Sequence, residues 1–361
     1  MSGNTPKGRL KSASLVLMGL VLISLVIFLA WPTSRRAHPN QPPLPRDLRP
    51  GAMAKALPAA QSSKPTTNER ATGHVTAGHL RAQGILKYGR AAGEIGMVNE
   101  KDQPPVGPES FTVMKDGGIL VADVVNQRIA VYASAGTYLR AIELPGIALG
   151  DVTADAQGRV YVYDQVRHSL HQYDAQDSPQ GSLDLSPKDI DTRGYFHITG
   201  NSVYFADTAV RDVLVATLQD GVLTPADKAL QLTSDGIHGD SGRIYSLALD
   251  KGQALRLEVR DSAGQAAVHR MAVPLPGIVS ARYAGEDQAQ RFYVQTERLE
   301  GTKIVLEVLA FSPAGEHLGT TRMPENDYAV WTAKLVDVRT DGTIVQFLPQ
   351  HDQAKLNLFT N

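Results

Sequence analysis

A short apolar strand that ends in aspartate recurs along the chain at nearly constant spacing. It reads GILVAD at 118–123, GRVYVYD at 158–164, NSVYFAD at 201–207 and GRIYSLALD at 242–250. The closing residues are Asp123, Asp164, Asp207 and Asp250, so the steps are 41, 43 and 43 residues. Weaker copies follow at 289–298 and 333–349. A fixed period of this length indicates a chain built from similar structural units.

Each unit contains four strands, as residues 107–144 illustrate. SFTVM, ILVAD, RIAVYA and TYLRAIEL have strand character, and KDGG and SAG supply turn residues between them. ILVAD is apolar on both faces, which is typical of a strand that lies between two other layers. A single unit of this kind cannot be stable alone and needs neighbours like itself.

Four strands per unit of 40–50 residues predict an all-β fold, a six-bladed β-propeller over residues 76–361. The last unit has only three strands before the chain reaches Asn361. We expect HLRAQGILKYG, at 79–89, to supply the missing outer strand of that blade and so to close the ring. Closure of this kind removes open sheet edges.

The segment DVVNQRIAVY places Asp123, Asn126 and Arg128 after the second strand of the first unit, with YGRAAGEIG upstream at 88–96. This motif resembles the NHL-repeat family of six-bladed propellers. The resemblance implies the fold but no chemistry, because propellers host unrelated functions. Aspartate can accept turn N–H groups and arginine can reach back to it, so we interpret these residues as fixing the turn. The aspartates that close the later units keep only part of the motif: Asp164, Asp207 and Asp250.

The N-terminal region differs from the rest of the chain. Residues 13–31 are apolar and uncharged, and about 20 such residues span a bilayer, so they predict a transmembrane signal anchor after a cytoplasmic tail at 1–12. A cleaved signal peptide is the alternative. Residues 32–75 are rich in proline and lack hydrophobic periodicity, which predicts a disordered linker. We therefore expect a single-pass protein of the cytoplasmic membrane with its propeller on the periplasmic, extracytoplasmic side.

Charge and composition exclude several classes of function. Residues 1–71 hold ten Lys or Arg and two acids, so the remainder holds 26 bases and 35 acids. An acidic globular part argues against nucleic acid as a partner. The chain has no cysteine, which excludes disulfides, zinc–thiolate sites and cysteine nucleophiles.

Candidate binding residues lie near the starts of the inner strands that should line a central channel. They are Glu109, Asp151, His197, His238, Arg282 and Lys334. They form no obvious catalytic or metal-binding set, so we predict no catalytic residues, no metal and no cofactor. The sequence favours a non-enzymatic scaffold that binds a protein or a small polar ligand. The alternative is a metal-dependent hydrolase or lyase with its site in the channel.

Overall fold

The propeller is seen in a computed structural model, which describes residues 75–77, 79–185, 194–207, 211–226, 236–261 and 267–360. All of the regular secondary structure in these ranges is β, and no α-helix occurs there. The strands form six sheets, five with four strands and one with five. The predicted all-β six-bladed propeller is therefore confirmed.

The chain begins its described part with two strands that belong to the last two blades. These are β1 (Val75–Ala77) and β2 (His79–Lys87). Blade 1 contains β3 (Phe111–Val113), β4 (Ile119–Asp123), β5 (Arg128–Tyr132) and β6 (Tyr138–Glu143). Blade 2 contains β7 (Leu149–Ala154), β8 (Val160–Asp164), β9 (Ser169–Tyr173) and β10 (Pro179–Asp184). Blade 3 contains β11 (Tyr195–Thr199), β12 (Ser202–Ala206), β13 (Asp212–Gln219) and β14 (Val222–Pro225).

The remaining blades follow the same antiparallel order. Blade 4 contains β15 (Ile237–His238), β16 (Ile244–Asp250), β17 (Ala254–Arg260) and β18 (Ala267–Pro274). Blade 5 contains β19 (Ile278–Glu286), β20 (Phe292–Glu300), β21 (Lys303–Phe311) and β22 (His317–Arg322). Blade 6 contains β23 (Val336–Val338), β24 (Ile344–Pro349) and β25 (Gln353–Thr360), with β2 as its fourth strand.

Strand β2 pairs antiparallel with β25 and forms the outer strand of blade 6. Gln83 Nε2 donates to Asn357 Oδ1 at 2.7 Å, and Leu86 is buried in the core shared with blade 1. The N-terminal end of the propeller thus completes the blade that the C-terminal end leaves short. Strand β1 pairs parallel with β22 and gives blade 5 a fifth strand, which covers an edge that would otherwise be open.

The hydrophobic core lies between neighbouring blades, and strand β4 shows how. All five of its residues are buried. Ile119 and Val121 belong to the cluster shared with blade 6, whereas Leu120 and Ala122 belong to the cluster shared with blade 2. Successive strand residues face opposite sides of a sheet, so one strand contributes to two cores. This explains why the sequence of β4 is apolar throughout.

The turn motif of blade 1 holds an upstream loop against the sheet. Asp123 accepts hydrogen bonds from Gly96 N at 2.8 Å, Asn126 Nδ2 at 2.8 Å and Arg128 Nε at 3.0 Å. Arg128 Nη2 also donates to the carbonyl oxygens of Ala91 and Glu94. The other closing aspartates each pair with one arginine, as Asp164–Arg167, Asp207–Arg211 and Asp250–Arg256.

Within the described ranges, no helix is long and apolar enough to cross a membrane. The predicted tail at 1–12 and the predicted anchor at 13–31 lie outside those ranges. The predicted linker at 32–75 also lies outside them, apart from Val75, which begins β1.

Candidate binding site in the channel

A cavity of about 280 Å³ lies in the channel, at the end where the inner strands of the blades finish. All six blades contribute to its lining, through β3, β7, β11, β15, β19 and the residues around β23. His197, His238 and Lys334, which the sequence singled out, are among the lining residues. The ring therefore brings together side chains that are far apart along the chain.

Asp212 links the two histidines of the cavity. His197 Nε2 lies 2.8 Å from Asp212 Oδ1, and His238 Nδ1 lies 3.0 Å from Asp212 Oδ2. The backbone N–H of His238 also donates to Asp212 Oδ2 at 2.6 Å. Asp212 belongs to β13 of blade 3 and His238 to β15 of blade 4, so this carboxylate also joins two blades.

The surroundings of Asp212 favour its ionised form. Burial alone would raise the pKa of Asp212, but the charge of His197 and hydrogen bonds from both histidines hold that pKa below its ordinary value. Tyr204 stacks on both imidazoles, with ring centroids 5.4 Å from His197 and 4.4 Å from His238. The pair therefore forms a rigid, polar wall.

Each of the other charged side chains that line this cavity has a partner in the protein. Lys334 Nζ donates to Asp337 Oδ2 at 2.6 Å. Glu286 accepts hydrogen bonds from the N–H and hydroxyl of Ser241, at 2.7 and 2.8 Å, and from the Tyr245 hydroxyl. Lys115 and Asp240 face each other across the rim at 3.8 Å, from blades that lie opposite one another in the ring. The cavity is thus polar, and each charged side chain of its lining is already held by a group of the protein.

Glu109 and Asp151 are not among the residues that line this cavity. Glu109 precedes β3, and burial raises the pKa of its carboxyl. Asp151 is buried between three blades, where it accepts hydrogen bonds from the Ser110 hydroxyl of blade 1 and from Phe196 N of blade 3 at 2.5 Å. Its position between inner strands makes Asp151 a structural link between blades.

The Asp151 carboxyl should make the stability of the propeller depend on pH. Burial raises its pKa from 3.8 to about 6, although hydrogen bonds from Phe196 and Ser110 oppose that shift. Because the folded pKa is the higher one, the folded state holds this proton more tightly, and stability falls as pH rises through that range. We expect a fall of about 3 kcal/mol in the free energy of unfolding.

Urea titrations of the parent and Asp151→Asn chains at pH 4 and pH 6.5 would measure this effect. Asparagine can donate to Ser110 and accept from Phe196 without carrying a charge. The difference in unfolding free energy between the two chains should therefore change by about 2 kcal/mol, most of the full effect, in favour of Asp151→Asn on going to the higher pH. A constant difference would contradict the assignment.

Arg282 lies at the other end of the channel, in a second cavity of about 440 Å³. Tyr195 and Ile237 line both cavities and therefore lie between them. The Arg282 guanidinium donates to the carbonyl oxygen of Ala333 in the adjoining segment of blade 6. The six residues that the sequence selected are thus divided among the first cavity, the second cavity and the contacts between blades.

The sequence pattern did not identify several residues that shape the channel. Asp212 lies on the third strand of its blade, where no repeated pattern marks it. A second turn motif, D-x-x-x-R-x-Y, could have been found: Asp155 binds Arg159 and Tyr161, and Asp287 binds Arg291 and Tyr293. In blade 4 the first position of this motif is Gly239, and Glu286 of blade 5 accepts from Tyr245 instead. A comparison of the units at this turn would have shown that blade 4 lacks the aspartate, which Glu286 of blade 5 replaces as the carboxylate that accepts from Tyr245.

Among the described side chains, no group of three or more His, Cys, Asp or Glu converges as a metal site. His197 and His238 come together, but each directs one ring nitrogen to Asp212.

No protein-family model and no curated protein matches the sequence. Among solved structures, the chain is similar to hydrazine synthase of Kuenenia stuttgartiensis, with 11% identity and a TM-score of 0.43 over 69% of this chain and 78% of that one. It is also similar to virginiamycin B lyase from Staphylococcus aureus, with 12% identity and a TM-score of 0.38 over 73% of this chain and 98% of that one. At these values neither likeness carries information about activity.

Proposed function

We propose that this protein is a non-enzymatic binding module of the cell envelope, and that it takes a small, neutral, polar ligand in the cavity of about 280 Å³. In this proposal residues 13–31 anchor it in the cytoplasmic membrane and the propeller lies on the periplasmic side. The single observation that carries the ligand class is that each charged side chain of the cavity lining already has a partner in the protein.

The pairing of charges argues for a neutral ligand. Lys334 is held by Asp337, and Asp212 is held by two histidines. A charged ligand would have to break such a pair or remain unpaired in a confined site, and both are costly. The lining also carries hydroxyl and amide groups, such as Thr153 and Asn201, which can exchange hydrogen bonds with a ligand rich in hydroxyl or amide groups. A saccharide unit is the simplest ligand of that kind.

Isothermal titration of the full-length chain with neutral mono- and disaccharides tests this function. We expect at least one of them to bind, and Thr340→Phe to weaken that binding by tenfold or more, on the order of 1.4 kcal/mol, because the larger ring fills the cavity. Ser182→Phe, at an exposed position of β10, is the matched control and should bind as the parent chain does. Binding that Thr340→Phe leaves unchanged would place the ligand elsewhere.

The location of the propeller needs its own experiment. Three basic residues precede the apolar segment 13–31 and Arg35 and Arg36 follow it, so the charge bias alone sets the orientation weakly. Protease added to spheroplasts should digest the propeller while leaving a cytosolic marker intact. Protection of the propeller until the membrane is lysed would contradict the proposed topology.

A metal-dependent hydrolase or lyase is the second candidate, because two imidazoles do meet in the channel. His197 would have its Nδ1 left for a metal once Asp212 holds its Nε2. Elemental analysis of the purified chain and thermal shifts on adding Zn²⁺ or Ca²⁺ separate the two candidates. A stoichiometric metal, lost in His197→Gln, would favour the enzyme.

A further inference from the structure

The second cavity, at the opposite mouth of the channel, has a lining that differs in kind from the first. One of its walls is a face of blade 5, where Ser280 pairs with Glu297 and Arg282 pairs with Gln295 across β19 and β20. Residues two apart on a strand point to the same face, so these four side chains form a compact polar array. The opposite wall comes from the segment before β23 and includes Tyr328, Val330 and Trp331.

Two charges in this array have no ion-pair partner. Neither Arg282 nor Glu297 lies within 4.0 Å of an oppositely charged group in the described part of the chain. Arg282 donates to Ala333 O, and Glu297 accepts from the Ser280 hydroxyl at 2.7 Å, so both are positioned by neutral groups. They are diagonal neighbours on the ladder, which places their Cα atoms roughly 7–8 Å apart. A cation and an anion are thus held side by side without pairing.

Two other residues of the lining, Gln295 and Trp331, also offer groups to a ligand. Gln295 is 4% exposed and lines the cavity, yet its side-chain amide makes no hydrogen bond to the described residues. Buried amides of this kind are nearly always hydrogen-bonded, so this group is available to a ligand or a water molecule in the cavity. Trp331 is 54% exposed at the edge of the same cavity and offers an apolar ring surface.

We propose that this second cavity binds a small zwitterion of the α-amino-acid type, with its carboxylate on Arg282, its ammonium on Glu297 and its apolar side chain against Trp331. A guanidinium suits a carboxylate because it donates two parallel hydrogen bonds. A ligand with both charges satisfies both unpaired groups at once, whereas an anion or a cation alone would leave one of them unmatched. The site is separate from the cavity in which we propose a neutral ligand.

Isothermal titration of the full-length chain with L-phenylalanine and two derivatives tests this proposal. N-Acetyl-L-phenylalanine lacks the ammonium charge and L-phenylalaninamide lacks the carboxylate. We expect each derivative to bind at least about tenfold more weakly than the amino acid, since each loses one charge-assisted contact. These comparisons use the parent chain and so do not depend on the folding of any variant.

Variants then assign each charge to a residue. Glu297→Gln should remove the preference for phenylalanine over its N-acetyl derivative, and Arg282→Gln should remove the preference over the amide. Arg270→Gln, on the exposed face of β18, is the control and should retain both preferences. Thr340→Phe, in the first cavity, should also retain them, which separates this proposal from the neutral-ligand proposal.

Three results would overturn the proposal. One is the absence of binding by each of the twenty L-amino acids at about 1 mM. Another is equal binding of phenylalanine and both derivatives. The third is binding of a neutral sugar at this mouth, lost in Trp331→Ala but unaffected by Arg282→Gln and Glu297→Gln.

Discussion

A chain that begins at residue 90 is expected to lose the cooperative unfolding transition of the propeller, whereas a chain that begins at residue 75 keeps it. The shorter chain lacks β2, so blade 6 has three strands and β25 exposes a full edge. It also lacks Leu86, which contributes to the core between blades 6 and 1. Thermal unfolding followed by near-ultraviolet circular dichroism compares the two chains.

A point substitution measures the same junction in a milder way. Leu86→Ala should lower the free energy of unfolding by about 2–5 kcal/mol, because it leaves a cavity in a closed core. Leu80→Ala, on the same strand but 46% exposed, should change it by no more than about 0.5 kcal/mol. Similar effects of the two substitutions would show that β2 contributes only its backbone to the ring.

Asp212→Ala is expected to cost about 3–5 kcal/mol, comparable to breaking a buried ion pair. The variant removes the acceptor for His197, for His238 and for the backbone N–H of His238, and so leaves three donors without their partner. Because the pKa of Asp212 lies below its ordinary value, its contribution is present at neutral pH and is lost as pH falls through that lowered pKa. The gap between parent and variant should therefore narrow in strong acid.

Asp250→Ala provides the matched control for Asp212→Ala. Asp250 also pairs with a basic side chain, but it is 40% exposed and its partner Arg256 is 63% exposed. Exposed pairs contribute no more than about 1 kcal/mol. Chemical denaturation of both variants, with nuclear magnetic resonance of the two imidazoles, measures stability and local structure together. A loss in Asp212→Ala no larger than in Asp250→Ala would contradict the role given to this carboxylate.

The fold was predictable from the sequence because every blade of a propeller has the same packing requirement. The second strand of a blade packs between two neighbouring blades and ends in a turn, so ILVAD and its later copies recur at a constant period. The fifth strand of blade 5 was not predictable in this way. Its partner is β22, more than 240 residues away, and a three-residue parallel contact leaves no periodic trace in the sequence.

The candidate site was only partly predictable, for a similar reason. Proximity to the start of an inner strand selected His197, His238 and Lys334, which line one cavity, and Arg282, which lines another. The same rule could not predict that the Asp151 carboxylate is buried between blades. That position depends on hydrogen bonds from Ser110 and Phe196 of the neighbouring blades. Asp212 was missed since it reaches the histidines from the third strand of its blade. A position along one strand says little about contacts made across blades.

The pairing of β2 with β25 has a consequence for how the protein is made. Gln83 and Asn357, which are hydrogen-bonded partners, lie 274 positions apart in the chain. During synthesis β2 is completed long before its partner exists, so the last blade cannot assemble until β25 has been synthesised. Contacts of such long range slow folding and expose unpaired strands in the meantime. We expect the nascent chain to depend on chaperones during that interval, and the pairing of β25 with β2 to be the step that commits it to the native state.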